Sequence, residues 1–209
     1  MSEIEEALNF DKNFWDKGFY PLAGVDEVGR GALFGPVVAA AVVILKDRKI
    51  PSFCDSKSIS AKKREELFEE LTANGHQFSI GVVDAGEIDK TNILKATMKA
   101  MKIAVEGLKF EPAIALVDGN SQPQLKYKVE SVVKGDKLSL SIGAASIVAK
   151  VLRDRMIAEL DEKYPGYGLK KNKGYGTKEH IEALFKMGPT PHHRRTFKPV
   201  AEIGGCLWQ

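Results

Sequence analysis

The chain has 209 residues, a length that fits one domain of ordinary size and allows a substantial buried core. Its two cysteines, Cys54 and Cys206, are too few for a disulfide framework, and no apolar run is long enough for a signal peptide or a membrane span. The formal net charge is only +3, so overall charge alone does not indicate a nucleic-acid partner. We therefore expect a soluble, cytoplasmic monomer without a membrane partner.

The distribution of charge says more than its sum. Lys and Arg dominate four stretches of the C-terminal half, 126–137, 150–155, 170–178 and 194–198. Such clusters predict a basic face of the kind found on nucleic-acid-binding proteins. Scattered, solvated lysines would explain the same composition equally well.

The predicted elements alternate between strands and helices in a single α/β domain. Residues 1–20 form an amphipathic leader that packs on the domain, residues 21–200 form the domain itself, and residues 201–209 form a short tail. Short apolar runs bounded by Gly or Pro predict strands, and apolar residues recurring every three or four positions predict helices, two of which begin after Ser60 and Thr177 as N-caps. We predict strands over 22–25, 37–45, 78–83, 113–117 and 127–133, and helices over 60–72, 88–108, 139–163 and 178–187.

Asp26 and Glu27 directly follow the first apolar strand. An ionised carboxylate at the end of a buried strand is costly unless a cation or several hydrogen-bond donors compensate it. A hard divalent metal ion is our first candidate for that cation. Two alternatives are a solvated hairpin in which these acids pair with Arg30, and a degenerate phosphate loop over residues 24–31.

Two more acids occupy similar positions later in the chain. Asp118 follows the strand at 113–117, and Asp136 lies between a strand and a helix. Ligands gather at the carboxyl edge of parallel strands, and no His or Cys accompanies these acids at ligand spacing. An all-carboxylate set selects Mg²⁺ or Mn²⁺ over Zn²⁺ or Cu²⁺. Such sets fit two metal ions about 3.5–4 Å apart that promote phosphodiester hydrolysis.

Two further stretches are suited to nucleic acid. The loop at 55–58 gathers one acid, two hydroxyls and Lys57, which can hold a phosphate but is also a common surface-loop composition. Between residues 164 and 195, glycines stand beside tyrosines, including Tyr175, whose ring can stack on a sugar or base. An aromatic-capped loop is the alternative explanation.

Several longer blocks resemble the type 2 ribonuclease H family, ribonuclease HII, over about residues 20–197. The similar blocks are G-V-D-E-V-G-R-G at 24–31, D-S-K-S-I-S at 55–60, L-V-D-G-N at 116–120, K-G-D-K-L-S at 134–139 and K-G-Y-G-T-K-E-H at 173–180. Val28, Ala32 and Gly143 depart from the commoner residues of the family. The related type 3 enzymes usually carry Gly-Lys-Gly at the Arg30 position and a large N-terminal domain, so type 2 is favoured.

The resemblance implies a ribonuclease H-like fold, with a central mixed sheet flanked by helices and a C-terminal segment of helices and loops. It also implies an endoribonuclease that hydrolyses the RNA strand of RNA–DNA hybrids. The same resemblance implies cutting on the 5′ side of ribonucleotides embedded in duplex DNA, leaving 3′-hydroxyl and 5′-phosphate ends, during DNA replication and repair.

The resemblance further implies roles for individual residues, and glycines among them would permit close approach to a ribose. The catalytic, metal-binding acids are Asp26, Glu27, Asp118 and Asp136. The substrate-binding residues are Gly29, Arg30 and Gly31 at the ribose 2′-hydroxyl, Lys57 at a phosphate, and Tyr175 at the junction sugar.

Two other classes of function are compatible with parts of the sequence. A non-catalytic hybrid-binding module would keep the fold without turnover, although no catalytic acid is missing. A phosphate-loop nucleotide hydrolase would bind nucleotide through residues 24–31, and nucleotide-induced stabilisation would detect it.

Overall fold

A computed structural model describes the backbone of residues 2–50 and 59–207, with side chains described as far as residue 203. The strands in this part of the chain are β1 (Leu22–Val28), β2 (Val37–Val43), β3 (Gln77–Val83), β4 (Ile114–Asp118) and β5 (Lys128–Val132). They form one mixed sheet in the order β3-β2-β1-β4-β5. The β3-β2-β1 part is antiparallel, whereas β1, β4 and β5 run parallel to one another.

Helices cover both faces of this sheet and form the C-terminal segment. They are α1 (Glu3–Asp16), α2 (Ala61–Ala73), α3 (Ala85–Lys90), α4 (Ile93–Glu106), α5 (Gly135–Leu138), α6 (Leu140–Lys163), α7 (Leu169–Asn172), α8 (Lys178–Met187) and α9 (Val200–Leu207). α4 packs on one face of the sheet, and α6 with α2 packs on the other. Within the described residues, no helix has both the length and the apolar character needed to cross a membrane.

The centre of the sheet is buried on both faces, which explains why β2 is apolar without alternation. Ala39 packs in the cluster with α4, and its neighbour Ala40 packs in the cluster with α6. Gly24 of β1 allows α6 to pack closely against the sheet, because a Cβ at this position would lie 2.1 Å from the carbonyl carbon of Ser141. The small residues near the start of α6 are therefore part of the sheet–helix contact.

Most predicted elements are present, with small shifts in their bounds. The helices predicted over 60–72 and 178–187 are α2 and α8, and their N-caps are confirmed as Ser60 and Thr177. Each cap side chain accepts a hydrogen bond from a backbone N–H in the first turn, which satisfies a donor that the helix itself leaves unpaired. The mixed sheet and its flanking helices also confirm the predicted fold class.

Two details of the prediction are wrong. The single helix expected over 88–108 is two helices, α3 and α4, because the Asn92 side chain caps a new helix by accepting a hydrogen bond from the Lys95 N–H at 2.9 Å. The first strand is longer than predicted, since pairing with β2 continues to Val28. Asp26 and Glu27 consequently lie inside β1 and do not follow it.

A buried carboxylate joins α1 to the rest of the structure. Asp11 is fully buried and accepts hydrogen bonds from the hydroxyls of Ser139 and Ser141, at 2.6 and 2.7 Å, and from the Ser141 N–H at 2.9 Å. Ser139 is the N-cap of α6, so the carboxylate lies at the positive end of that helix. Burial nevertheless raises the pKa of Asp11 to about 6, against the opposing effect of these hydrogen bonds.

We predict that Asp11 makes the free energy of unfolding decrease as pH rises from about 4 to about 6. An Asp in an unfolded chain loses its proton near pH 4, whereas the folded chain keeps this proton up to about pH 6. The folded state therefore binds more protons across this window. A stabilising contribution of up to about 3 kcal/mol relative to neutral pH is present below the window and absent above it.

Urea unfolding of the wild type and Asp11→Asn, at steps of about one pH unit, measures this effect. The difference in unfolding free energy between the two proteins should fall across the window and then level off, because Asn does not titrate. Asp16→Asn, at an exposed position of the same helix, controls for removal of a charge. A wild-type-to-variant difference that stays constant with pH would contradict the prediction.

Candidate active site

Parallel pairing of β1 with β4 sets two carboxylates side by side. Val25 of β1 lies opposite Val117 of β4, and the next residue on each strand is an acid, Asp26 and Asp118. Because the two strands run in the same direction, both acids reach the same edge of the sheet. Glu27 follows at once on β1, so three of the predicted acids are delivered by two neighbouring strands.

Main-chain hydrogen bonds hold these acids and bring Asp136 close to them. The Gly135 N–H donates to Asp118 Oδ1 at 2.7 Å, and the Asp136 N–H lies 3.4 Å from the same oxygen. Within β1, the Glu27 N–H donates to Asp26 Oδ1 at 2.8 Å. The first turn of α5 is thereby tied to the end of β4.

Three of the four predicted acids share one cleft of about 390 Å³ with Tyr175. Its described lining residues are Asp26, Glu27, Val28, Arg64, Asp118, Ser146, Lys150 and Tyr175. Asp136 is buried and is not among the described residues that line this cleft.

Arg64, Ser146 and Lys150 are cleft residues that the sequence analysis missed. Ser146 and Lys150 are four positions apart on α6, so they lie on one side of that helix, which is a signal that helical spacing could have revealed. Arg64 comes from α2 and has no such signal. Lys150 pairs with Asp154 at 2.7 Å, and burial lowers its pKa. The cleft thus has basic as well as acidic walls.

Two acids of the cleft, Asp26 and Glu27, are held where ionisation is unfavourable. Burial raises the pKa of Asp26 to about 7; the charges of Glu27 and Asp118 act in the same direction, and a hydrogen bond with Ser146 opposes them. Burial also raises the pKa of Glu27, while Arg30, whose Nη1 lies 3.1 Å from Glu27 Oε1, opposes the rise. Added positive charge in the cleft would therefore favour the ionised carboxylates.

The carboxylates of the cleft are chemically suited to a hard divalent cation, although in this structure they make hydrogen bonds or ion pairs with other protein groups. Within residues 2–50 and 59–203, no three His, Cys, Asp or Glu side chains are arranged as a ready cation site. Asp26 and Asp118 each accept a main-chain N–H through one oxygen, and Glu27 is paired with Arg30. Carboxylate oxygens are nevertheless the ligands that Mg²⁺ and Mn²⁺ prefer, and such an ion would offset the cost of gathering them.

The turn after β1 contains two glycines with different structural requirements. Gly29 has a φ of +89°, and a Cβ there would lie 2.2 Å from Arg153 Nε, so the folded chain itself requires glycine. A Cβ on Gly31 would meet nothing within 4 Å. Arg30, between them, is exposed apart from its contact with Glu27. The space over Gly31 is therefore open to a ligand.

Tyr175 is presented to the cleft by a network of main-chain contacts. Its N–H donates to the Asn172 carbonyl at 2.9 Å, and its own carbonyl lies 2.9 Å from His180 Nδ1. The Arg153 guanidinium lies 5.6 Å from the centre of the ring, and Tyr175 as a residue is 37 % exposed. The ring is thus supported by the protein and still accessible.

The structure contradicts both alternative interpretations of residues 24–31. Gly24 lies within β1 against α6, where it cannot cradle a phosphate. Asp26 is only 5 % exposed, so it does not belong to a solvated ion network, although Glu27 and Arg30 do pair.

Of the predicted substrate-binding residues, Lys57 lies outside the described part of the chain.

Comparison with known proteins agrees with the resemblance found in the sequence blocks. The family model described as Ribonuclease HII matches residues 23–200. Ribonuclease HII of Enterococcus faecalis is 49 % identical over 203 residues, covering 97 % of this chain and 77 % of the relative. Ribonuclease HII of Endomicrobium trichonymphae is 52 % identical over 201 residues, covering 96 % of each protein.

The fold agrees as well. The crystal structure of ribonuclease H2 from Pyrococcus horikoshii OT3 matches with a TM-score of 0.71 at 28 % identity, covering 88 % of this chain and 97 % of that one. Sequence blocks, sheet topology and relatives all lead to one assignment. The chain belongs to the ribonuclease HII family and is an endoribonuclease, a hydrolase that cleaves the RNA strand of RNA–DNA hybrids.

Proposed function

We propose that this endoribonuclease also cuts on the 5′ side of ribonucleotides embedded in duplex DNA, leaving 3′-hydroxyl and 5′-phosphate ends. Its role would then be ribonucleotide removal in the cytoplasm during DNA replication and repair. One observation carries the proposal: three acids and Tyr175 line a single cleft, and Arg30 joins the neighbouring glycine turn to one of those acids, Glu27. Cleavage chemistry and recognition of a single sugar can therefore occur at the same place.

Mg²⁺ or Mn²⁺ ions are the proposed cofactors, held as a pair by Asp26, Glu27, Asp118 and Asp136. Such ions, when bound, activate water and stabilise the leaving oxygen of a phosphodiester. The contribution of the protein is to position the carboxylates. Asp26 and Asp118 lie on strands, and each accepts a hydrogen bond from a main-chain N–H. Lys150, which lines the same cleft and is paired with Asp154, is proposed to contact the phosphate backbone.

Recognition of the sugar is assigned to the turn and to the aromatic ring. Only a 2′-hydroxyl distinguishes a ribonucleotide from its DNA neighbours, and the missing side chain of Gly31 leaves room for that sugar to approach the backbone. The Tyr175 ring is accessible for stacking on the sugar at the RNA–DNA junction. Lys57 is proposed to contact a backbone phosphate.

Asp26→Asn should abolish cleavage of a duplex that contains one ribonucleotide, with a rate loss of at least about 10³-fold, because a principal cation ligand is removed. Binding of the same duplex should remain measurable by fluorescence anisotropy. In chelator, the variant should be at least as stable to heat as the wild type, since it no longer buries an acid whose pKa is raised. It should also lose the thermal stabilisation that Mg²⁺ or Mn²⁺ gives the wild type.

Glu106→Gln, at an exposed site on α4, is the matched control and should behave as the wild type does. Retained cleavage by Asp26→Asn would contradict the assignment of this acid. Binding without turnover by the wild type, with either metal ion, would favour the hybrid-binding module instead.

Gly31→Ala and Gly29→Ala should separate substrate recognition from folding. Gly31→Ala should leave the free energy of unfolding unchanged within about 0.5 kcal/mol, because the added Cβ meets no protein atom. It should weaken binding of the ribonucleotide-containing duplex by about tenfold or more, because the Cβ occupies the space proposed for the sugar. Gly29→Ala should instead lower the free energy of unfolding by about 1–3 kcal/mol.

Urea unfolding and duplex binding, measured on both variants, test this pair of expectations. Wild-type affinity in Gly31→Ala would show that the ribose does not approach the turn at that residue. An unchanged unfolding free energy in Gly29→Ala would contradict the structural requirement for glycine there.

A further inference from the structure

A buried guanidinium group lies directly behind the glycine turn. Arg194 is fully buried and donates to the Gly29 carbonyl at 2.7 Å and to the Arg30 carbonyl at 2.8 Å. It also donates twice to the Gly35 carbonyl, at 3.0 and 3.1 Å. Every acceptor that the described hydrogen bonds give Arg194 is a main-chain carbonyl. Arg194 thus fixes the orientation of the peptide planes whose carbonyls it contacts.

That orientation determines where the donors of the turn point. In a planar trans peptide the N–H points opposite to the carbonyl of the same unit. Because the Gly29 and Arg30 carbonyls point to Arg194, the N–H groups of Arg30 and Gly31 point away from it. These two N–H groups therefore face the side of the turn opposite to Arg194, and both residues are exposed to solvent.

A second buried chain of hydrogen bonds runs from the same segment to Tyr175. The Thr190 N–H donates to His193 Nδ1 at 2.9 Å, so a neutral His193 carries its proton on Nε2. That nitrogen lies 3.1 Å from His180 Nε2, which must then accept. His180 accordingly carries its proton on Nδ1 and donates it to the Tyr175 carbonyl at 2.9 Å.

Both imidazoles are kept neutral, as this chain of donors requires. Burial lowers the pKa of His193 to about 3, and the neighbouring His180 and His192 act in the same direction. Burial also lowers the pKa of His180. The proton positions are inferred from the partners, and only one arrangement satisfies every nitrogen of the pair.

We propose that Arg194, His193 and His180 are positioning residues that hold the Gly29–Gly31 turn and Tyr175 in a fixed relation for recognition of a ribose. The inference rests on the proposed function, because it assumes that the turn and the ring both contact the junction sugar. His193 and Arg194 are consecutive, so one short segment braces both parts of the recognition surface.

The test measures discrimination between two duplexes, one with a single ribonucleotide and one of DNA alone, by fluorescence anisotropy. Every variant is made in the Asp26→Asn background, in which no cleavage is expected. Arg194→Lys keeps the positive charge but cannot reproduce the planar fork that reaches several carbonyls. It should weaken binding of the ribonucleotide duplex by about tenfold and leave binding of the DNA duplex within about twofold. Arg155→Lys, at an exposed pair with Glu65, is the matched control and should change neither affinity.

Two substitutions at His180 separate its two nitrogens. Asn places an amide near the position of Nδ1 and can still donate to the Tyr175 carbonyl, whereas Gln places its amide near Nε2 and cannot. His180→Asn should retain the preference for the ribonucleotide duplex over the DNA duplex. His180→Gln should reduce this preference about tenfold. A purely structural role would make the two variants differ in thermal stability but not in discrimination.

Thermal melting establishes that each variant is folded before binding is compared. Folded Arg194→Lys and His180→Gln proteins with wild-type discrimination would overturn the proposal. If either variant does not fold, NMR of the Asp26→Asn protein decides: the Arg30 and Gly31 amide signals should shift with the ribonucleotide duplex and not with DNA, and the Arg194 Nη protons should be resolved. Averaged Nη signals, or equal shifts with both duplexes, would overturn it. Failure of the Asp26→Asn protein itself to prefer the ribonucleotide duplex would instead count against the proposed function.

Discussion

The parallel pairing of β1 with β4 is the constraint on which the candidate active site depends. It places Asp26 beside Asp118 at one edge of a sheet whose central strands are buried on both faces. The register cannot slip by one residue without turning every side chain of a strand to the opposite face. Core packing therefore fixes the positions of the acids. Burial at this edge raises the pKa of Asp26, and the charges of Glu27 and Asp118 add to the rise, which bound cations would relieve.

Buried guanidinium groups connect this edge to the C-terminal segment. Arg153 of α6 donates to the Phe34 carbonyl at 3.2 Å and to the Lys173 carbonyl at 2.9 Å, and Arg194 donates to the turn at Gly29. Burying a charge is costly, and the hydrogen bonds that each guanidinium donates to several carbonyls offset this cost. The C-terminal segment is consequently part of the cleft's architecture. A separate module could not supply these contacts.

Local patterns in the sequence predicted much of the fold and the three acids that line the cleft. Apolar runs located the strands that carry Asp26 and Asp118, and a hydroxyl before a helical pattern located the cap at Ser60. Apolar spacing did not reveal the break at Asn92, because the same apolar face continues in α4. Asp11 had no local signal at all, since its partner Ser139 lies 128 positions away. Long-range polar contacts of this kind depend on the complete fold.

The most direct test of the account is to map the cut in a DNA duplex that contains one ribonucleotide, with Mg²⁺, with Mn²⁺ and with chelator. The account predicts a metal-dependent cut on the 5′ side of the ribonucleotide, with 3′-hydroxyl and 5′-phosphate ends. Cleavage of an RNA–DNA hybrid alone would retain the carboxylate chemistry and contradict the role given to the glycine turn and Tyr175. Cleavage that persists in chelator would contradict the metal-dependent role of the acids.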